Sequence, residues 1–337
     1  MKCWINSKYY ILFFLLLQGI LVHSQRQDIL LNNDWLSIAR EYQNDDKAPE
    51  YMPPKTEPGW IKVNVPHNWD QYQGYRRLIH GNFHGGAWYR KSFSVKQSRS
   101  GKRFFLYFEG AGSFTKVYLN GVFAGEHAGG RTSFTIDITD NIKTDGSLNQ
   151  IAVSNWHPPF IQTLPWVCGG CSDERGFSEG SQPLGIFRPV HLVITNDVRI
   201  SPFGVHAWAD IKGEEVTLNV NTSFKNYSLR PRKLVVVQQL MDEWGKLVDR
   251  WQVEKLTGKE DSLTVEQSLK LKKNPVRWSV ERPYLYTIES VILENNKVID
   301  RVSTPFGFRT INWKTPSHQF MLNDKPVFIN GIAEYEH

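Results

Sequence analysis

Along the chain, hydrophobic and polar residues alternate in short runs separated by turn residues. Phe104-Phe105-Leu106-Tyr107-Phe108, Lys116-Val117-Tyr118-Leu119, Val216-Thr217-Leu218-Asn219-Val220, Leu234-Val235-Val236-Val237 and the stretch from Thr287 to Leu293 read as strands. No long segment shows a convincing helical period. Asn120-Gly121 directly follows one of these runs, and both central residues of a type I′ turn need positive φ, so it predicts a tight hairpin. Asn295-Asn296 predicts another. Short strands punctuated in this way predict an all-β chain of antiparallel sandwiches. A Gly-, Trp- and His-rich half gives way to cleaner strands near Asp197, and a second boundary falls near Phe308-Arg309. The expected division is 25–197, 198–309 and 310–337.

The pattern breaks at the N-terminus. Ile11 to Val22 is apolar except for Gln18 and Gly19; Lys2 and Lys8 precede it, and Val22-His23-Ser24 offers a signal-peptidase site. A run of about 12 residues is short for a hydrocarbon core of ~30 Å, so 1–24 is expected to be a secretory signal peptide rather than a retained anchor. Cys3 precedes the apolar run instead of ending it, which disfavours a lipoprotein. The expected location is exported, periplasmic or extracellular. No membrane span is expected after cleavage.

Composition adds exclusions. With 337 residues, 40% hydrophobic and 22% charged, the chain can bury a core, so wholesale disorder and a collagen-like fibre are excluded. Removing Lys2 and Lys8 lowers the formal charge from +6 to +4. The densest basic patch, Lys270-Leu271-Lys272-Lys273, reads as a solvated edge or turn, so nucleic acid is not an expected partner. After cleavage Cys168 and Cys171 remain, in Cys168-Gly169-Gly170-Cys171. A single CxxC is compatible with half a zinc site, a redox couple or a local disulfide. A zinc site wants about four ligands and no second CxxC or close His pair follows. A thioredoxin-type couple would open a helix, whereas this one lies in a Gly-, Pro- and Ser-rich loop. In an oxidising compartment a small-loop disulfide is the plain reading, and no metal or cofactor is expected.

A specific order of motifs runs through the first half. It begins with Val63-Asn64-Val65-Pro66-His67-Asn68-Trp69, Gly86-Ala87-Trp88-Tyr89-Arg90-Lys91-Ser92-Phe93 and Phe108-Glu109-Gly110-Ala111. Val117-Tyr118-Leu119-Asn120-Gly121, Gly125-Glu126-His127, Phe134-Thr135-Ile136-Asp137-Ile138-Thr139 and Gly185-Ile186-Phe187-Arg188-Pro189-Val190 follow. Together they resemble the N-terminal sugar-binding-type jelly roll of glycoside hydrolase family 2, which includes β-galactosidases, β-glucuronidases and β-mannosidases. Trp278-Ser279-Val280-Glu281-Arg282-Pro283-Tyr284-Leu285-Tyr286 and Phe306-Gly307-Phe308-Arg309-Thr310-Ile311 are similar to the close of that family's immunoglobulin-like sandwich. Phe320 to Gly331 resembles the entry into its (β/α)8 barrel. The resemblance covers roughly Asn32 to His337.

Several residues have both a structural and a ligand-binding reading. Trp69, Trp88, Tyr89 and Trp278 could stack on sugar faces, but aromatics set between strands are more often core anchors. Arg90 and Arg188 could clamp a ligand carboxylate; such arginines more often satisfy buried carbonyls or an acid such as Glu109. His67 and His127 read as structural histidines.

The resemblance implies retaining chemistry by two glutamates, about 5–5.5 Å apart, one acid/base and one nucleophile. In the family both lie on later barrel strands, so they are expected beyond His337; a full barrel takes about 250 residues. Within Gly331-Ile332-Ala333-Glu334-Tyr335-Glu336-His337, Glu336 and His337 match the Glu-His part of a substrate-binding segment. Glu334 and Tyr335 depart from its usual Arg-His. Glu334 and Glu336 share a face if the tail is extended, yet the resemblance argues against a catalytic pair there.

The segment from Trp156 to Pro183 holds the CxxC with Asp173, Glu174, Arg175 and Glu179 and is long for a connection. It is expected either to shape the substrate entry, with Asp173, Glu174 or Glu179 at a sugar hydroxyl, or to be a disulfide-stapled surface loop. The expectation is thus the N-terminal part of an exported retaining exo-β-glycosidase, β-galactosidase-like, cut short and without turnover. An oligosaccharide or glycoside is its substrate, and a homo-oligomer of the full-length enzyme is compatible with this reading. The alternatives are a stand-alone secreted carbohydrate-binding or adhesion module, and a chain that pairs in trans with a separate barrel. An exposed apolar strand at Val327-Phe328-Ile329 is expected, as is little loss of stability on cutting after Ile311.

Overall fold

The computed structural model describes residues 26–41, 56–69, 85–130, 132–157, 184–313 and 319–332. These are strands and connections; no helix occurs among them. The chain divides into two compact units, one mainly Gln27–Thr195 and the other mainly Asn196–Val327.

In the first unit the strands are β1 (Gln27–Leu30), β2 (Trp35–Glu41), β3 (Ile61–Val63), β4 (Gly85–Lys96), β5 (Lys102–Phe108), β6 (Phe114–Leu119), β7 (Val122–Ala128), β8 (Phe134–Asp137), β9 (Asp145–His157) and β10 (Val190–Asn196). They form a six-stranded sheet, β3-β2-β4-β9-β6-β7, and a four-stranded sheet, β1-β10-β5-β8. The pairings of β1 with β10 and of β5 with β8, and all those of the six-stranded sheet, are antiparallel. Alternation decides the inward set: Trp35, Tyr89, Val117, Ile151 and Val153 from the larger sheet meet Phe104, Leu106, Phe108, Ile136, Leu192 and Ile194 from the smaller in one buried cluster. Asn120 and Gly121 have φ of 53° and 83° and join β6 to β7, the turn that their sequence predicts.

The second unit contains β11 (Val198–Lys212), β12 (Glu215–Asn226), β13 (Arg232–Met241), β14 (Leu247–Thr257), β15 (Ser262–Lys270), β16 (Tyr286–Glu294), β17 (Lys297–Phe306), β18 (Ile311–Asn312), β19 (Met321–Leu322) and β20 (Lys325–Pro326). Sheets β11-β12-β15 and β14-β13-β16-β17 enclose its core, and β18-β19-β20 form a small third sheet. Asn295 and Asn296, at φ of 48° and 60°, turn β16 into β17 as expected.

The core of this sandwich consists of two apolar clusters, one around Leu218, Val220, Leu240 and Phe308, the other around Ile200, Phe224, Val236 and Ile292. A buried amide bridge joins the facing sheets. Gln238 of β13, 0% exposed, donates from Nε2 to Thr222 Oγ1 of β12 at 2.8 Å and to Gln267 Oε1 of β15 at 3.1 Å. Its own Oε1 accepts from Ser290 Oγ of β16 at 2.7 Å. A polar network this dry is tolerable because its members satisfy one another, and it then fixes the register of both sheets.

Two charged pins complete the unit. Arg26 holds the fully buried Asp300 at 2.8 and 3.2 Å, and Asp300 also accepts the Ile200 backbone N–H at 2.6 Å. Arg232 at the start of β13 grips Glu294 with two nitrogens and Asp197 at 3.0 and 3.1 Å. The Arg232 hydrogen bonds hold the Glu294 carboxyl below the usual carboxylate range.

The last small sheet corrects one expectation. The segment after Ile311 is not a loose appendage: Asn323 donates to the Trp278 carbonyl at 2.8 Å and exchanges hydrogen bonds with Thr310 at 2.9 and 3.1 Å, while Leu322 is 7% exposed. Asn323 and Asp324, at φ of 49° and 61°, make a further tight turn between β19 and β20 that the sequence reading passed over.

Two outcomes are expected. Gln238→Ala leaves three polar partners unpaired and opens a void, costing about 3 kcal/mol in urea unfolding, whereas a loss below about 1 kcal/mol would show that the bridge is dispensable. Because the Glu294 carboxyl is depressed in the folded state, its contribution is complete above the ordinary carboxylate range and disappears as pH falls through the lowered value. Glu294→Gln should therefore flatten the acid limb of a stability–pH curve and leave its shape above about pH 6 unchanged.

Candidate functional site

One end of the six-stranded sheet carries three long connections of the first unit. There β2 ends, β4 begins and β9 ends, and Glu41, Gly85 and His157 lie side by side in register. Segments 42–55, 70–84 and 158–183 therefore attach to adjacent strands. The far ends of the latter two also meet. Trp69 N–H donates to the Leu184 carbonyl at 2.9 Å, and the Leu184 N–H donates to Asn68 Oδ1 at 3.0 Å.

This meeting belongs to a backbone seam that joins motifs distant in sequence. His67 N–H donates to Ile186 O at 2.7 Å, Gly112 and Gly185 exchange bonds at 3.0 and 3.1 Å, and Glu109 N–H reaches Pro189 O at 3.0 Å. Beneath the seam His67 Nδ1 shares a hydrogen bond with Tyr89 Oη at 2.8 Å, and its ring stands edge-on to Trp69 and Tyr89. Trp69 Nε1 donates to Ser37 Oγ at 2.8 Å, and Trp35 Nε1 to Leu31 O at 2.6 Å. Burial raises the Tyr89 hydroxyl above its ordinary pKa and lowers that of His67, so both stay neutral near pH 7. Gly185, at φ +141°, has no room for a side chain: a Cβ there would lie 2.3 Å from Tyr89 Oη and 2.7 Å from the His67 carbonyl.

The aromatic candidates are built into the structure. Tyr89 is fully buried, Trp88 packs with Ile38 and Ala152, and Trp69 lies against the main core. The Arg309 guanidinium sits 4.7 Å above the Trp278 ring. Arg90 lies 4.9 Å over Trp60 and Arg188 5.8 Å over Phe187, so both arginines stack on aromatic rings. His127 stacks on Phe134 at 4.3 Å, and its Nε2 meets Thr132 Oγ1 at 2.9 Å. Sequence reasoning missed His191, which reaches Glu109 at 3.1 Å through Nε2 and Asp28 at 2.6 Å through Nδ1. No local motif marks that group, because its members come from β1, β10 and the residue after β5.

The residues named for substrate contact, Asp173, Glu179, Glu336 and His337, lie outside the described residues, as do Cys168, Cys171, Glu174 and Glu334. What the structure shows for the first loop is where its two ends are held. Among the described residues no group of three or more His, Cys, Asp or Glu is arranged to hold a metal, and no helix is long and apolar enough to cross a membrane. Phe328 and Ile329 are 87% and 62% exposed, as expected, but Val327 is half-buried and the segment after Pro326 forms no strand; Ile332 beyond it is 91% exposed.

Comparison with known proteins matches residues 57–195 to the sugar binding domain of glycosyl hydrolases family 2, and residues 198–309 to the glycosyl hydrolases family 2 profile. The chain belongs to glycosyl hydrolase family 2. A β-glucuronidase of Bacteroides fragilis is 28% identical over an alignment 337 positions long that covers 96% of this chain and 43% of that protein. The β-galactosidase BoGH2A of Bacteroides ovatus is 28% identical over 320 residues, 92% of this chain and 34% of that protein. Among solved structures, a putative β-galactosidase from Bacteroides fragilis superposes with a TM-score of 0.71 at 25% identity, covering 90% of this chain and 44% of that one. The fold also matches Bacteroides uniformis β-glucuronidase 2, with a TM-score of 0.73 at 21% identity, covering 91% of this chain and 35% of that one. The family-2 chain thus spans less than half the length of these relatives.

Gly185→Ala is expected to cost about 2 kcal/mol or more and to disturb near-ultraviolet signals from the Trp69–Tyr89 cluster. Gly213→Ala, in an open turn at φ +60°, should cost only about 1 kcal/mol. Equal losses would show that the contact at Tyr89 does not constrain position 185.

Proposed function

We propose that the two sandwiches are the N-terminal portion of an exported retaining exo-β-glycosidase that hydrolyses a terminal β-glycosidic bond, galactoside-like. The catalytic glutamates would belong to a barrel beyond His337, and this polypeptide alone would have no turnover. Family membership supports the reaction class, and the relatives named β-galactosidase and β-glucuronidase support the substrate class. The observation that carries the reading is the tail after β20. Its large apolar side chains at Phe328, Ile329 and Ile332 stand in water, the state expected of an apolar segment whose covering layer is elsewhere. Export is supported by Lys2, Lys8 and the apolar run Ile11 to Val22, with cleavage after Ser24. In that reading segment 158–183, fixed at one end of the first sandwich, shapes the substrate entry through Asp173 or Glu179, and Glu336 and His337 lie at the sugar.

The reading is tested by the coding sequence downstream of His337, where a barrel with two glutamates is expected and unrelated sequence would sink the idea. The purified chain should show no release of nitrophenol from nitrophenyl β-galactoside or β-glucuronide; turnover by it would overturn the inactive assignment. Cutting after Val327 should leave the melting temperature within about 2 °C, whereas cutting after Ile311, which removes Asn323 and Leu322, should lower it by roughly 5 °C or more.

A further inference from the structure

The outer face of the β11-β12-β15 sheet carries a surface for which the proposed hydrolysis has no use. Val205, Ala207, Ala209 and Ile211 pack on the core, so His206, Trp208 and Asp210 point to the opposite side. In register Trp208 faces Asn219, which faces Ser268; His206 faces Asn221, which faces Glu266. Trp208 is 39% exposed, and its ring lies 5.2 Å from that of His206, inclined by 31°.

Beside the indole the polar groups are held in place. Asn219 is 8% exposed; its Nδ2 donates to Asp210 Oδ2 at 2.8 Å, and its Oδ1 accepts from Ser268 Oγ at 2.6 Å. Asn221 Oδ1 is buried and meets no donor among the described residues. A single exposed tryptophan on a protein surface is ordinary. An indole beside an amide fixed at both ends and a second amide oxygen left unsatisfied is not the usual solvated face of Thr, Lys and Glu.

A pyranose ring has the complementary chemistry: an apolar C–H face that lies on an indole, and a rim of hydroxyls that seek carboxylates and amides. Groups already held in position lose little freedom on binding. Charge narrows the ligand. The face carries the carboxylates of Asp210 and Glu266, and Lys270, in the same cross-strand row as Asp210, is tied to Glu215 at 2.6 Å, a balance that disfavours an acidic sugar.

We propose that this face binds a neutral oligosaccharide, with Trp208 beneath one pyranose ring and Asp210, Glu266 and Ser268 toward its hydroxyls. The inference rests on the reading of the protein as one that handles glycosides, but its test needs no turnover, so either can fail while the other stands. The intact chain is run in native gels containing soluble galactan, xyloglucan or anionic polygalacturonate, beside Trp208→Ala, Asp210→Asn and Trp244→Ala. Trp244 is 76% exposed on the β13–β14 turn and serves as the control. Galactan or xyloglucan should retard the chain. Trp208→Ala should weaken that binding roughly tenfold with unchanged circular dichroism, Asp210→Asn should weaken it less, and Trp244→Ala should leave it intact. No retardation by either neutral glycan, retardation by polygalacturonate alone, full binding by Trp208→Ala, or equal loss in Trp244→Ala would each overturn the proposal. So would sedimentation showing that Trp208→Ala dissolves a dimer, since the face would then be an interface between copies.

Discussion

The seam at Gly185 is the contact on which the first sandwich depends. Its backbone pairs with Gly112, the carbonyl of the next residue takes the His67 N–H, and the Tyr89 hydroxyl fills the space where a side chain would be. Residues near positions 67, 110 and 186 thereby become neighbours, and the ends of segments 70–84 and 158–183 are brought together at Trp69 and Leu184. Antiparallel pairing alone would leave the connecting segments hanging from separate strand ends. The seam converts one end of the sheet into a single platform for them.

The second sandwich solves a different problem. Its sheets could slide over one another if only Val, Leu and Ile met between them, because apolar contact is weakly directional. Gln238 removes that freedom by bonding to two strands of the opposite sheet and to Ser290 of its own. Asp300 and Arg232 act at the edges in the same way, each tying segments far apart in sequence. Directional polar contacts set the register, while the apolar clusters on either side supply most of the burial.

Much of this could be read from the sequence where the controlling interaction is local. Strand runs, the Asn120-Gly121 and Asn295-Asn296 turns, and the preference for Trp88 and Tyr89 as core residues all follow from side-chain periodicity and positive φ. The Asn323-Asp324 turn obeys the same chemistry but sits between strands of two residues each, too short to show alternation. The His191 contacts with Asp28 and Glu109, the Gln238 bridge and the anchoring of Asn323 on Trp278 were not legible. Each joins groups separated by 16 to 163 residues, and a lone Gln, His or Asn looks the same in sequence whether it faces water or a partner.

By itself, then, the amino-acid order determined the secondary-structure type, the hairpins and the series of motifs that mark family 2. These depend on backbone preferences and on spacing along the chain. The tertiary structure decided which polar side chains are spent inside, such as Gln238 and Asp300, and which stand outside beside Trp208 with hydrogen-bonding capacity left. The physical reason is that a strand offers two chemically equivalent faces, and only the packing of the opposite sheet determines which one is covered.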